Sequence, residues 1–240
     1  MAQLLLDIGN TRIKWGVLID GAIEQHGNAA LQDLPVSLPK SVDGALACSV
    51  AGDAVSRQVA DAVAAQCGVQ VSFVTSAAMA CGVTSGYEDP ASLGVDRWVA
   101  LIGARANTDS ACIVVDAGTA ITIDALDANG QHLGGQILPG LGLMSAALGD
   151  HTSDLPQIAE QDLGIADASQ RFGRSTTAAI SEGSLGAAAG AIERAMAALN
   201  EDAALLLTGG NAMVLQRRLV QPGEVREHLV LEGLARLILD

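Results

Sequence analysis

The feature that most constrains this chain is that it resembles itself. Slid along by 109 residues, the stretch Leu4 to Gly21 falls on Ile113 to Gly130. Three aliphatic residues (Leu4, Leu5 and Leu6 against Ile113, Val114 and Val115) lead into an Asp-x-Gly, Asp7 and Gly9 against Asp116 and Gly118. A polar residue follows in each copy, Asn10 or Thr119, and then a second extended stretch. In that stretch Ile13, Trp15, Val17 and Ile19 alternate with other residues, as Ile121 and Ile123 do in the second copy. Both copies close at a hairpin signal, Asp20-Gly21 and Asn129-Gly130, at the same offset. Strand patterns recur in any α/β chain, but strand, acid, Gly and second turn agreeing in one register imply a duplicated architecture. The polar run Asn107-Thr108-Asp109-Ser110 marks the break, so two domains are expected, residues 1–110 and 111–240.

Half of the residues are apolar, yet only five are aromatic, whereas 42 are Ala and 27 Gly; the core must be aliphatic and closely packed. Ala54 to Cys67 predicts a helix stopped by Gly68, and the β-branched run Val69 to Val74 a strand. Helices are also predicted over Trp98 to Ala106 and Thr177 to Leu199. The second carries Gly183, Gly186 and Gly190, which would let it approach a neighbouring element closely. A last strand, Leu205 to Leu207, runs into Thr208-Gly209-Gly210.

Thirteen Lys and Arg against 27 Asp and Glu leave a net charge of -14. Binding nucleic acid by neutralising phosphates needs a basic face, and this composition lacks the material for one. An anionic membrane surface is disfavoured likewise, and no run approaches the ~18 consecutive apolar residues of a membrane-spanning helix. MAQLLLDIGN has no basic segment ahead of its short apolar stretch, so a cytoplasmic location is expected. Cys48, Cys67, Cys81 and Cys112 contain no CxxC pair and are expected to be free buried thiols; the four His form no HExxH. The two lysines, Lys14 and Lys40, stand outside any GxxxxGK[ST] context, which excludes a Walker A loop.

A strand ending in Asp-x-Gly-Asn-Thr offers one carboxylate, a Gly that lets another group approach the backbone, and donors from amides and side chains. Successive N–H groups in such a turn make a concavity for anions. The acid would repel a bare phosphate but serves a phosphate carried with Mg²⁺, an ion that takes few carboxylates, several waters and substrate phosphates. Two such turns in one chain suggest a nucleotide-phosphate clamp. At the end of the last strand, Leu205 to Ala212 places side-chain-free backbone where a flat base or ribose could lie.

Asp7-Ile8-Gly9-Asn10-Thr11, Asp116-Ala117-Gly118-Thr119-Ala120, Gly94-Val95-Asp96-Arg97 and Thr208-Gly209-Gly210 together resemble type III pantothenate kinase. That family lies in the actin, sugar kinase and Hsp70-like phosphotransferase superfamily. The likeness runs nearly the full length, taking in Tyr87, Gln136-Ile137-Leu138-Pro139-Gly140-Leu141 and Gly173-Arg174-Ser175-Thr176. It implies an α/β fold of duplicated RNase H-like, actin-like ATPase domains with a nucleotide cleft between them. The implied activity is ATP-dependent phosphorylation of pantothenate to 4'-phosphopantothenate, the first step of coenzyme A biosynthesis.

The resemblance places the catalytic base at Asp96; the residues alone equally allow an acid favoured near a helix start. Arg97 would bind the pantothenate carboxylate, with Tyr87, Gly94, Val95 and Thr176 completing the substrate contacts. Val95 is a mild departure, because smaller residues are common there in the family. On the nucleotide side stand Asp7, Ile8, Gly9, Asn10, Thr11, Arg12, Ile13, Lys14, Thr119, Gly209 and Gly210. Asp7 would act through Mg²⁺, directly or by water, and Lys14 either reaches a phosphate or faces solvent. Asp116 matches the family's monovalent cation site, for potassium or ammonium. Asp124 belongs to the pattern without a physical role, and a homodimer is implied. A kinase for another small alcohol or sugar on the same fold and a non-catalytic nucleotide-binding regulator are the alternatives.

Overall fold

The computed structural model describes residues 1–151, 155–156, 158–159, 162–163, 171–199 and 202–240. The chain divides into two units: Met1–Asp109 with Asn129–His132 and His228–Asp240, and Ser110–Ala128 with Leu133–Glu227.

In the first unit the strands are β1 (Ala2–Ile8), β2 (Ile13–Ile19), β3 (Ala22–Ala29), β4 (Gly44–Ser49) and β5 (Val71–Phe73), with a small hairpin of β6 (Met79–Ala80) and β7 (Val83–Thr84). Helices α1 (Leu34–Ser37), α2 (Gly52–Cys67) and α3 (Val95–Asn107) lie between them. The five-stranded sheet runs β3-β2-β1-β4-β5, with β1 antiparallel to β2 and parallel to β4. Leu4, Leu5 and Leu6 are all fully buried, the pattern of a central strand covered on both faces. On one face Leu4, Leu6 and Ile8 meet Val59, Val63 and Cys67 of α2. On the other lie α3 and the chain's last helix, Leu229–Leu239.

Local chemistry sets the boundaries. Asp20 and Gly21 both have positive φ, 48° and 88°, as a two-residue hairpin turn of primed type requires. The α2 helix ends at Gly68 in the left-handed region, where the sequence predicts its stop. The α3 helix starts at Val95, earlier than its apolar run suggests, so Asp96 and Arg97 lie in its first turn. The last helix crosses α3 backbone to backbone. A Cβ on Gly103 would collide with the Leu229 carbonyl oxygen, and one on Gly233 with that of Val99. Asn107 Nδ2 closes the crossing by donating to Glu232 Oε2 at 2.7 Å.

The second unit repeats the plan with β8 (Cys112–Ala117), β9 (Ala120–Leu126), β10 (His132–Pro139), β11 (Ala204–Thr208) and β12 (Glu224–Val225) in the order β10-β9-β8-β11-β12. Its helices are α4 (Leu141–His151), α5 (Thr176–Leu199) and α6 (Ala212–Gln216), which makes the chain's last helix α7. Again the acid-bearing strand, β8, is antiparallel to its hairpin partner β9 and parallel to the later β11. Ile113, Val115, Ile121 and Ile123 pack on Leu185, Ala188 and Ile192 of α5. Among the described residues nothing lies within 4 Å of a Cβ built on Gly183, Gly186 or Gly190 of α5, whereas Gly103 and Gly233 make an intimate helix crossing. Among the described residues no helix is long and apolar enough to cross a membrane.

Because the α3–α7 contact leaves no room for a methyl group, Gly233→Ala is expected to destabilise the protein by about 2 kcal/mol or more, the scale of overpacking a filled core. Thermal unfolding checks this; a melting temperature lowered by about 4 °C or more is expected.

Candidate active site

In the first unit, β1 delivers Asp7 to the sheet end one residue before a tight turn. Gly9 N–H donates to the Arg12 carbonyl at 3.1 Å, closing the four-residue connection to β2. Ile8 and Ile13 flank the turn and send their side chains into the core, leaving only their backbone to face a ligand. Asn10, Thr11 and Arg12 are exposed at the tip, where Arg12 Nη1 donates to Asn28 Oδ1 at 2.8 Å. The strand register sets Lys14 on one side of Asp7 and Cys48 on the other, so the three residues form a row across β2, β1 and β4.

Cys48 is fully buried, and its thiol makes a 3.8 Å contact as donor to Asp7 Oδ1. Burial, then the charges of Asp7 and Asp96, push the thiol well above its ordinary pKa, so it stays protonated. Asp96, far from Asp7 in the chain, thus acts on the same thiol. Asp96 Oδ1 accepts the Arg97 N–H at 2.8 Å in the first turn of α3. Arg97 is 6% exposed; its Nη1 donates to the Tyr87 hydroxyl at 2.8 Å, and its Cζ lies 5.6 Å from the Tyr87 ring centroid. Tyr87 in turn stacks on His132, centroids 5.8 Å apart and planes 16° from parallel.

The second unit builds its own cluster. Gly118 N–H donates to the Ala120 carbonyl at 3.0 Å, giving the turn after Asp116. Gly140 N–H donates to the Thr119 carbonyl at 2.9 Å, and a Cβ on Gly140 would strike the Gly118 and Thr119 carbonyls. The turn after β11 lies on the same place: Gly209 has φ +90°, and a Cβ there would collide with Asp116 Oδ1 and the Ala117 backbone. Asn211 N–H donates to the Ala117 carbonyl at 3.0 Å. Asp116, Thr119, Gly140 and Gly209 are therefore brought together, with Gly210 next in the chain. Thr176 opens α5, exposed, next to Ser175, whose Oγ accepts the Ala178 N–H at 3.2 Å.

Residues 3–198 match the sequence profile described as type III pantothenate kinase. A type III pantothenate kinase of Dechloromonas aromatica is 43% identical over 242 residues, covering 98% of both chains. The chain belongs to the type III pantothenate kinase family. Two solved structures show the fold. One, described as a Baf family transcriptional activator from Campylobacter jejuni, superposes with a TM-score of 0.63 at 20% identity over 98% of this chain and 96% of its own. The other, the activator of the 2-hydroxyisocaproyl-CoA dehydratase from Clostridium difficile with bound ADPNP, gives 0.55 at 13% identity over 100% and 94%. The duplicated α/β fold is that of the actin-like ATPases and sugar kinases.

Within this type III pantothenate kinase fold, two neighbours of the expected site residues are not marked by any sequence motif. Cys48 reads as one buried thiol among four, and only the β1–β4 register reveals it beside Asp7. His132 stands 45 residues from Tyr87 with no motif around it. Asp124, on β9, is buried opposite Val114 and away from both turns in register. The two glycines after β11 differ in their surroundings, since among the described residues nothing lies within 4 Å of a Cβ on Gly210. Gly209→Ala is expected to cost about 2 kcal/mol or more through left-handed backbone and collision together, and Gly210→Ala less than about 1 kcal/mol. Denaturant unfolding of the two variants side by side measures the difference.

Proposed function

We propose that this chain transfers the γ-phosphoryl group of ATP to the primary hydroxyl of pantothenate, opening the route to coenzyme A. The observation that carries this is family membership over almost the whole chain, with Asp96, Arg97 and Tyr87 held together at the start of α3. Phosphoryl transfer asks for positioning, stabilisation of charge around the transferred group and an acceptor for the hydroxyl proton. Asp96 takes that proton; its place in the first turn of α3, with Oδ1 on the Arg97 N–H, aims the carboxylate. The buried Arg97 offers a guanidinium fork to the pantothenate carboxylate, and Tyr87, Gly94, Val95 and Thr176 complete the acceptor contacts.

The Asp7 turn suits a nucleotide phosphate carried with Mg²⁺. It has one half-buried carboxylate, a Gly without a Cβ and a flanking ammonium at Lys14. Among the described residues no three His, Cys, Asp or Glu converge as a protein-only metal cage, and one carboxylate supplemented by phosphate and water fits that arrangement. When bound, the ion offsets phosphate charge. Ile8, Gly9, Asn10, Thr11, Arg12 and Ile13 present the turn's backbone and exposed tip to the phosphates, with Thr119, Gly209 and Gly210 serving the nucleotide from the second unit. Asp116, at the turn against which Gly140 and Gly209 pack, would hold potassium or ammonium. The main boundary between the two domains lies near residue 110 of the chain, and the enzyme works in the cytoplasm as a homodimer.

ATP-dependent phosphate transfer to a panel of hydroxylated acceptors tests the assignment, with pantothenate expected to be preferred and preferential turnover of a hexose overturning it. Asp96→Asn is expected to lower kcat by about 10²-fold or more, the usual contribution of a general base. Replacing potassium or ammonium by sodium is expected to reduce turnover of the parent enzyme, and Asp116→Asn to abolish the distinction between the ions.

A further inference from the structure

We infer that His132 is a positioning residue for the acceptor site, acting through Tyr87 on Arg97. The inference rests on the acceptor role proposed above for Arg97. Tyr87 sits in a loop between β7 and α3, beside Gly86, where the backbone alone does little to hold a large ring. It is gripped at two points. Its hydroxyl accepts from Arg97 Nη1 at 2.8 Å, and its ring lies against the nearly parallel imidazole of His132. His132 is 1% exposed, so its ring is a fixed wall rather than a surface side chain.

The wall is itself anchored to the Tyr87 loop. Thr84 N–H donates to the Gly130 carbonyl at 2.9 Å, and Thr84 and Gln131 form a parallel bridge. Gln131 Nε2 reaches the Thr84 carbonyl at 3.4 Å and the His132 carbonyl at 3.0 Å. Gly130 meets Gly82 so closely that a Cβ would collide with its carbonyl oxygen. A four-residue segment, Asn129–His132, thus docks on residues 82–87 and presents one flat ring to Tyr87. Without that ring Tyr87 gains rotational freedom, and the Arg97 guanidinium loses the hydroxyl that fixes its fork. Bidentate recognition of a carboxylate depends on that fixed geometry. The consequence falls on acceptor binding and leaves the nucleotide turn at Asp7 untouched.

Steady-state kinetics of His132→Ala, His132→Leu and His132→Phe, with pantothenate and ATP varied separately, test this. The Leu variant keeps the volume without a flat face and stands in should the Ala variant fail to fold. Ala or Leu is expected to raise KM for pantothenate about fivefold, the scale of one aromatic pair, with KM for ATP within twofold of the parent. Phe is expected to restore most of the loss. An unchanged pantothenate KM in Ala and Leu, a parallel rise in both KM values, or a Phe variant no better than Leu overturns the inference. Arg97→Lys measured alongside separates the two levels. If it leaves the pantothenate KM unchanged, the acceptor role of Arg97 fails and this inference with it. If it raises that KM while His132→Leu does not, only the role of His132 fails.

Discussion

Each unit depends on a strand too apolar to lie anywhere but mid-sheet. Leu4-Leu5-Leu6 and Ile113-Val114-Val115 are buried on both faces, and removing that surface from water is the main favourable term available to an aromatic-poor chain. Such a strand cannot keep an acid in its middle, so the carboxylates of Asp7 and Asp116 fall at its end, where the sheet opens into a turn. The hydrophobic constraint and the functional one are therefore met by the same seven or so residues. The fixed position of the acid follows from the burial of what precedes it.

The turn after Asp116 is shaped by missing side chains. Gly140 and Gly209 approach the Asp116 turn from two later segments, and neither could carry a Cβ. In the first unit the opposite device appears: Lys14 and Cys48 flank Asp7 in register, and a protonated thiol contacts the carboxylate without adding charge. One acid is surrounded by backbone, the other by side chains of graded polarity. This asymmetry fits a pair of duplicated turns that have taken different tasks.

The sequence made the duplication legible because its signal is local: a strand, an acid, a glycine and a turn within eighteen residues, twice. The Gly68 stop, the primed Asp20-Gly21 turn and the strand leading into Gly209 follow from the same short-range chemistry. What stayed hidden is non-local. The pairing of Asp7 with Cys48 needs the β1–β4 register, and the Tyr87–His132 stack joins residues far apart in the chain. The α5 glycines show that a small residue permits close approach without requiring it; only the surroundings decide, and around Gly103 and Gly233 they do.

The α7 helix has a consequence for how the molecule comes into being. The first unit takes most of its residues from the first 109 positions, but the helix that seals one face of its sheet is residues 229–239. During synthesis β1 to β5 emerge early, while the face that includes Leu5 waits for more than a hundred further residues. Contacts of such sequence separation form late and slowly. The amino-terminal sheet is thus the first part made and among the last completed, and its unsealed apolar face is where a nascent chain of this kind is most exposed to chaperones or to aggregation.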